Sequence, residues 1–277
     1  MRTWLVLVFV FIQSGHLCIA DEGPAKTDDD KQSKRRLELM QSTIDGMKVS
    51  SSDIQSEASL KFVKTPLLRY NDPTRQVGGG GLLDAGVWRL GETGRPTALA
   101  TLEIYGTLES KTILSYEFVT LVPLRLTINA PRGPTWNPAR TDLKMAPLAD
   151  ALKPADSPKA RLVQMRQICR RFAVRETMPN GDKVECRLLT QPIDRYADEK
   201  SGITDGAIFA FANGTNPEVA LLLEASSEQW LFGALRLSSA ALLGELDGKT
   251  FYEAPSSFTQ TSSAPYIGVA LPIKLEE

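Results

Sequence analysis

The chain has 277 residues, of which 42% are hydrophobic and 23% charged, and its 32 basic and 33 acidic residues give a net charge of −1. This composition supports a folded core and excludes collagen-like, low-complexity and wholly disordered chains. The balanced charge lacks the basic excess of a nucleic-acid-binding protein, so we expect no nucleic-acid partner.

The first 20 residues have the layout of a secretory signal peptide. Arg2 is followed by an apolar run over residues 5–12, and the segment ends in Cys18-Ile19-Ala20, which predicts cleavage after Ala20. An uncleaved anchor is the alternative, but the run is about half of the roughly 20 apolar residues that a spanning helix needs. We therefore expect a protein that is secreted or held in the periplasm or cell envelope, with no transmembrane span after cleavage.

Cleavage there also removes His16, the only histidine of the chain. Ser-His-Asp and Cys-His catalysis, His-ligated zinc and imidazole-based pH sensing all require that ring. We expect no metal and no cofactor. Two cysteines remain, Cys169 and Cys186, and the sequence leaves open whether they form a disulfide or two small buried hydrophobic side chains.

The first part of the chain predicts a lead-in, a helix and several strands. Residues 21–35 are rich in charge and predict a disordered lead-in. Leu37, Met40, Ile44 and Met47 recur at three- and four-residue spacing, which predicts a helix with one buried face. Strands are then predicted at residues 87–90, 98–105 and 113–122.

Residues 131–157 contain five prolines and predict a linker that runs over the surface. Within it, Trp136 either stacks on a sugar or a partner or anchors the linker to the domain. Ser157-Pro158 predicts the start of a second helix, and Asn180-Gly181 between two apolar runs predicts a β-hairpin. Further strands are predicted at residues 207–212, 219–225 and 230–237.

Four short segments recur in the same order in two parts of the chain, which predicts an internal duplication. The separations within the two sets agree: Asp84 to Pro96 and Asp205 to Pro217 are both 12 residues, and Pro96 to Glu103 and Pro217 to Glu224 are both 7. The expected fold class is therefore α+β, with internal duplication of a helix followed by about four to five antiparallel strands in two pseudo-symmetric halves. The expected segments are 1–20 signal peptide, 21–35 disordered lead-in, 36–130 first α+β repeat, 131–157 Pro-rich linker and 158–277 second α+β repeat.

The recurring polar residues are the candidate site residues. One interpretation is that Arg-carboxylate pairs and hydroxyls satisfy strand ends and loop amides, and the other is that they form a duplicated binding site. Two pairs also allow catalysis if the fold juxtaposes them: Asp84 with Asp205 sharing one proton, or Glu103 with Glu224 as a glycosidase pair. The binding candidates are Arg69, Tyr70, Asp72, Arg195, Tyr196, Asp198 and Trp136.

Five segments carry a resemblance to a known family: residues 68–73, 94–96, 116–118, 161–166 and 205–211. Over most of residues 36–260, the chain resembles an uncharacterised family of exported proteins from planctomycete-type bacteria. The resemblance implies a secreted or envelope location and a shared fold, and it implies no activity. Together these features favour an exported, non-enzymatic binding or interaction protein whose partner is an unknown protein or small ligand of the cell envelope. The alternative is a carboxylate-dependent hydrolase that uses paired Asp or Glu from the two halves.

Overall fold

A computed structural model describes residues 28–54, 60–77, 80–107, 111–257 and 261–274. In chain order its elements are α1 (Asp28–Asp45), β1 (Lys48–Ser51), β2 (Leu68–Val77), β3 (Gly80–Leu90), β4 (Ala98–Gly106), β5 (Thr112–Thr120), β6 (Leu126–Asn129), β7 (Thr135–Trp136), β8 (Ala146–Pro147), α2 (Pro158–Cys169), β9 (Phe172–Thr177), β10 (Lys183–Leu188), β11 (Asp194–Asp198), β12 (Ile203–Asn213), β13 (Asn216–Ala225), β14 (Trp230–Arg236), β15 (Ala241–Leu246), β16 (Lys249–Ala254) and β17 (Tyr266–Ile273). A 3₁₀ turn, Glu199–Ser201, lies between β11 and β12.

The strands form three antiparallel sheets. The first large sheet has five strands in the order β17-β5-β4-β3-β2. The second has nine strands, in the order β16-β15-β9-β10-β12-β13-β14-β8, with β11 also paired to β12. A small sheet has the order β1-β6-β7. The last strand of the chain, β17, therefore lies beside β5, which is more than a hundred residues earlier.

The two large sheets pack face to face, and each is also covered on its outer face. Ala85 and Val87 of β3 point into a core that they share with Ile208 of the second sheet. The alternate residues of β3, such as Trp88, pack outward against α1 and the small sheet, whereas Phe209 of β12 packs outward against α2. The layers are thus α1 with the small sheet, the five-stranded sheet, the nine-stranded sheet, and α2.

Two ion pairs join the large sheets across their interface. Arg89 at the end of β3 donates from Nη1 to Asp194 Oδ2 at 2.7 Å, and both side chains are less than a tenth exposed. Arg95, in the turn between β3 and β4, donates to both carboxylate oxygens of Glu224 at 2.7 and 2.5 Å. Burial raises the pKa of Asp194, and the Arg89 guanidinium acts in the opposite direction.

The expected fold class is wrong. The chain is mostly β, with 49% strand and 14% helix, and its large curled antiparallel sheets are not two halves of one helix and four to five strands. The expectation failed because it treated each half as closed on itself. Long-range pairing instead brings β17 into the first sheet and β8, from the Pro-rich segment, into the second.

Several individual elements were nevertheless predicted correctly. The hairpin at Asn180-Gly181 is present, with Lys183 paired to Thr177, and Ser157 caps α2 by accepting a hydrogen bond from Ala160 N. Met40 and Ile44 are the buried face of α1.

Two other predictions concern the N-terminal part of the chain. Helix α1 begins at Asp28, so it includes part of the expected disordered lead-in of residues 21–35. The predicted signal peptide lies outside the described residues.

Candidate functional site

Asp84 on β3 is the centre of the first polar cluster. Arg69 on β2 binds it in a bidentate manner, with Nε to Oδ1 at 2.9 Å and Nη2 to Oδ2 at 2.5 Å. The same Nη2 donates to the carbonyl and hydroxyl oxygens of Ser33 on α1. Arg36, also on α1, approaches Asp84 Oδ2 with Nε at 3.5 Å. The cluster therefore holds two cations against one buried carboxylate.

Asp205 on β12 is the centre of a second cluster built from the same residue types. Arg195 on β11 donates to Oδ1 and Oδ2 at 3.0 and 2.6 Å, and to the carbonyl of Pro158 at the start of α2. Arg161 on α2 adds a bond from Nε to Oδ2 at 2.9 Å. Both arginines are thus held in direct ion pairs with a carboxylate that is 5% exposed.

The fold does not bring Asp84 and Asp205 together. Asp84 shares the outward face of β3 with Trp88, toward α1, whereas Asp205 shares the outward face of β12 with Phe209, toward α2. Two sheets, which pack about 10 Å apart, lie between the carboxylates. A shared proton requires contact between the two groups, and this arrangement does not provide it.

Glu103 and Glu224 face the interface between the sheets, each in its own cluster. Tyr70 and Tyr105 donate hydroxyl hydrogen bonds to Glu103 at 3.0 and 2.8 Å. Tyr196 donates to Glu224 at 2.7 Å, where Arg95 also binds. Burial, followed by the charge of the facing carboxylate, raises the pKa of Tyr70 and Tyr196 well above the usual value. These hydroxyls stay protonated and act as hydrogen-bond donors.

A residue with little or no side chain lies between each tyrosine and its glutamate. Gly206 is paired with Tyr196 on one side and Glu224 on the other, and Ala85 has the same position between Tyr70 and Glu103. A Cβ atom at Gly206 would lie 2.3 Å from the Tyr196 ring. The ring therefore crosses the sheet directly over this glycine to reach the carboxylate.

The other binding candidates have structural contacts. Asp198 caps the 3₁₀ turn by accepting from Ser201 N and Oγ at 3.3 and 2.8 Å. Asp72 lies against Gly214, where a Cβ atom would be 2.8 Å from its Oδ2. Trp136 is fully buried, stacks on Phe118 and donates to the carbonyl of Ala264 at 2.8 Å, so it anchors its segment and presents no face to a ligand.

Cys169 and Cys186 are both buried and are not joined by a disulfide in the described structure. Burial raises the pKa of the Cys169 thiol. Of the two interpretations that the sequence left open, the structure has the small buried side chains. Within the described ranges, no group of three or more metal-ligating side chains is found, and no helix is long and apolar enough to span a membrane.

A cavity of about 620 Å³ lies where β14, β16 and β17 meet residues 142–146. Four aromatic side chains line it, and Asp142, Lys144, Arg236 and Glu253 contribute charge. Within the described residues, Lys144, Arg236 and Glu253 form no ion pair, whereas Asp142 lies 3.8 Å from Arg140 in an exposed pair. The aromatic residues are Phe232, Phe251, Tyr252 and Tyr266.

Arg236 is fixed at the base of this cavity. Its Nε donates to the carbonyl of Ser238 at 2.9 Å, its Nη2 donates to the carbonyls of Pro255 and Ala240, and the guanidinium lies 5.0 Å above the centre of the Tyr266 ring. Burial raises the pKa of Tyr252 to about 12, against the opposing effect of the Arg236 charge. The cavity therefore combines a rigid cation with neutral aromatic walls.

Sequence reasoning missed several of these residues. Arg36 and Arg161 stand at the start of the recurring helix segments, so the same comparison that found Arg69 and Arg195 also contained them. No comparable signal exists for Arg236, because the cavity is assembled from strands distant in sequence.

Searches against family models, curated proteins and solved structures found no match to this chain.

Replacement of Asp205 by Asn is expected to lower the free energy of unfolding by about 3 kcal/mol, because it leaves Arg161 and Arg195 beside a neutral group in a buried site. Asp84→Asn is expected to cost less, because Arg36 approaches Asp84 only to 3.5 Å and is 17% exposed, whereas Arg161 binds Asp205 at 2.9 Å and is 8% exposed. Urea unfolding followed by circular dichroism measures both. Glu228→Gln, in a pair with Lys153 whose side chains are 74% and 62% exposed, is the control and should leave the midpoint nearly unchanged. Equal effects at all three positions would contradict a structural role for the buried pairs.

Gly206→Ala is expected to lower the free energy of unfolding by about 1–3 kcal/mol, because the new methyl group overlaps the Tyr196 ring. The steric cause is tested with a double-mutant cycle. In a Tyr196→Ala background, the same glycine substitution should cost much less. Additive effects in urea unfolding would show that the ring is not the reason for glycine at this position.

Proposed function

We propose that the chain is an exported binding protein without enzymatic activity, and that the cavity beside β14, β16 and β17 binds a small ligand of the cell envelope. The observation that carries the proposal is the cavity itself. Its volume of about 620 Å³ is within the range of small-molecule sites, which are mostly apolar with a few fixed polar groups. The aromatic walls and the fixed guanidinium of Arg236 match that description.

The chemistry of the lining suggests the kind of ligand. Aromatic side chains favour a flat apolar body. Arg236 and Lys144 favour a negatively charged group on that body, with Lys144 at the exposed rim and Arg236 at the buried base. Asp142 and Glu253 also line the cavity and are exposed, so their charges balance the two cations and select against ligands with several negative charges.

The recurring carboxylates support a binding protein more than a hydrolase. Asp84, Asp205 and Glu224 are each held by arginine in a direct ion pair, and Glu103 accepts two tyrosine hydroxyl bonds. A carboxylate-dependent hydrolase needs two carboxyl groups around one substrate bond. Asp84 and Asp205 lie on opposite outer faces of the paired sheets, so we do not assign that role to them.

Export is tested at the N-terminus. If residues 1–20 act as a signal peptide, the protein recovered from the medium or periplasm of an expressing bacterium should begin at Asp21. Edman sequencing or intact-mass measurement identifies the first residue. A chain that stays in the cytoplasm with residues 1–20 attached would contradict export.

Binding in the cavity is tested with 1-anilinonaphthalene-8-sulfonate, a flat aromatic probe with one negative charge. We expect saturable one-to-one binding with a blue shift of the probe fluorescence. Ala254 lines the cavity, so Ala254→Trp should fill part of it and weaken binding at least tenfold. Ala197→Trp, at an exposed position of β11, is the matched control and should bind as the unmodified protein does. Equal binding by both variants, with native circular dichroism spectra, would place the probe elsewhere and contradict the proposal.

A further inference from the structure

The two Arg-Asp clusters differ in what binds the helix-borne arginine. In the second cluster, Arg161 Nη1 donates to the carbonyls of Ala155 and Asp156 at 2.9 and 2.7 Å, in addition to the bond from Nε to Asp205. In the first cluster, Arg36 has only the 3.5 Å approach to Asp84, and its buried Nε has no hydrogen-bond partner in the described structure. Arg161 therefore donates three hydrogen bonds in its cluster, whereas Arg36 donates none within the described structure.

The cause lies in where each helix begins. Helix α2 begins at Pro158, so residues 155 and 156 precede it and their carbonyl groups are available to Arg161. Helix α1 begins at Asp28, eight residues before Arg36. The residues five and six positions before Arg36 are thus inside the helix, where carbonyl groups accept from amides four residues later. The longer helix removes the backbone acceptors that the second cluster uses.

A cavity of about 230 Å³ lies at Arg36. It is lined by Ser33, Arg36, Arg69 and Asn71, together with Asp84 at its base. Two guanidinium groups and one carboxylate give the cluster one net positive charge. The Arg36 side chain is only 17% exposed, so water compensates little of that charge, and burial of an uncompensated cation is unfavourable.

We propose that this cavity is a second binding site, separate from the larger one, and that it takes the carboxylate group of a small organic acid. A carboxylate supplies the planar pair of acceptor oxygens that a guanidinium binds with two parallel hydrogen bonds. Its single negative charge balances the net charge of the cluster. Asp84 disfavours ligands with two negative charges, such as sulfate, because like charges repel at this distance.

The neighbouring polar groups fit the same ligand. The Ser33 hydroxyl accepts from Arg69 Nη2, which leaves its own hydrogen available to donate. Asn71 is exposed and lines the same cavity. Both polar residues share the cavity with Arg36, while Asp84 fixes Arg69 there by two hydrogen bonds.

The test is a titration of residues 21–277 with sodium acetate at constant ionic strength. Binding is followed by NMR through the side-chain Nε–H signals of ¹⁵N-labelled arginine. We expect saturable shifts of the Arg36 signal, assigned by its loss in Arg36→Gln, and at least tenfold weaker binding of acetate by that variant. Acetate should also raise the melting temperature of the unmodified protein but not of Arg36→Gln.

Two arginine variants serve as controls. Arg161→Gln changes the equivalent arginine of the Asp205 cluster. Arg125→Gln removes the charge of a surface side chain that is 79% exposed. Both should keep acetate binding, and Arg125→Gln remains informative if Arg161→Gln unfolds. Absence of saturable binding, equal binding by Arg36→Gln, or sulfate binding as tight as acetate would each overturn the proposal.

Discussion

Burial of both faces of two antiparallel sheets constrains every polar side chain in their central strands. Antiparallel sheets commonly leave one face in water, where a charged group needs no partner. Here Asp84, Glu103, Asp205 and Glu224 are each 5% exposed or less. Burial without partners would cost several kcal/mol per group, so each carboxylate is held by guanidinium or hydroxyl donors. The polar clusters are in this sense a consequence of the layer arrangement.

The same constraint fixes how the two sheets lie against each other. Apolar contacts between the sheets have no direction and would tolerate some sliding. Arg89 and Arg95 extend from one end of the first sheet to Asp194 and Glu224 of the second, and a shift of a few ångströms would separate these buried charges. The ion pairs therefore specify one relative position, whatever their net contribution to stability.

The sequence predicted local elements better than their assembly. The cap at Ser157, the Asn180-Gly181 hairpin and the buried face of α1 follow from rules that act over a few residues, and all three are present. The hairpin of β15 and β16 turns at Asp247-Gly248, a comparable local signal that the prediction overlooked. The pairing of β17 with β5 has no local signal, and this is the kind of contact that made the expected α+β halves wrong.

The candidate sites show the same limit. Internal comparison of the sequence identified Arg69 with Asp84 and Arg195 with Asp205, and these residues do form ion pairs. It did not identify the difference between the clusters. That difference depends on how many helical residues precede each arginine. The larger cavity depends on three strands that meet only in the folded chain, so no spacing in the sequence could indicate it.

The position of β17 has a consequence for how the molecule is made. Eight residue pairs join this C-terminal strand to β5 at the edge of the first sheet. Synthesis proceeds from the N-terminus, so β5 has no neighbour on that side until β17, more than a hundred residues later, has been made. An unpaired strand edge favours contacts with other chains. The edge of β5 is thus open to association with other copies of the chain until β17 has paired with it.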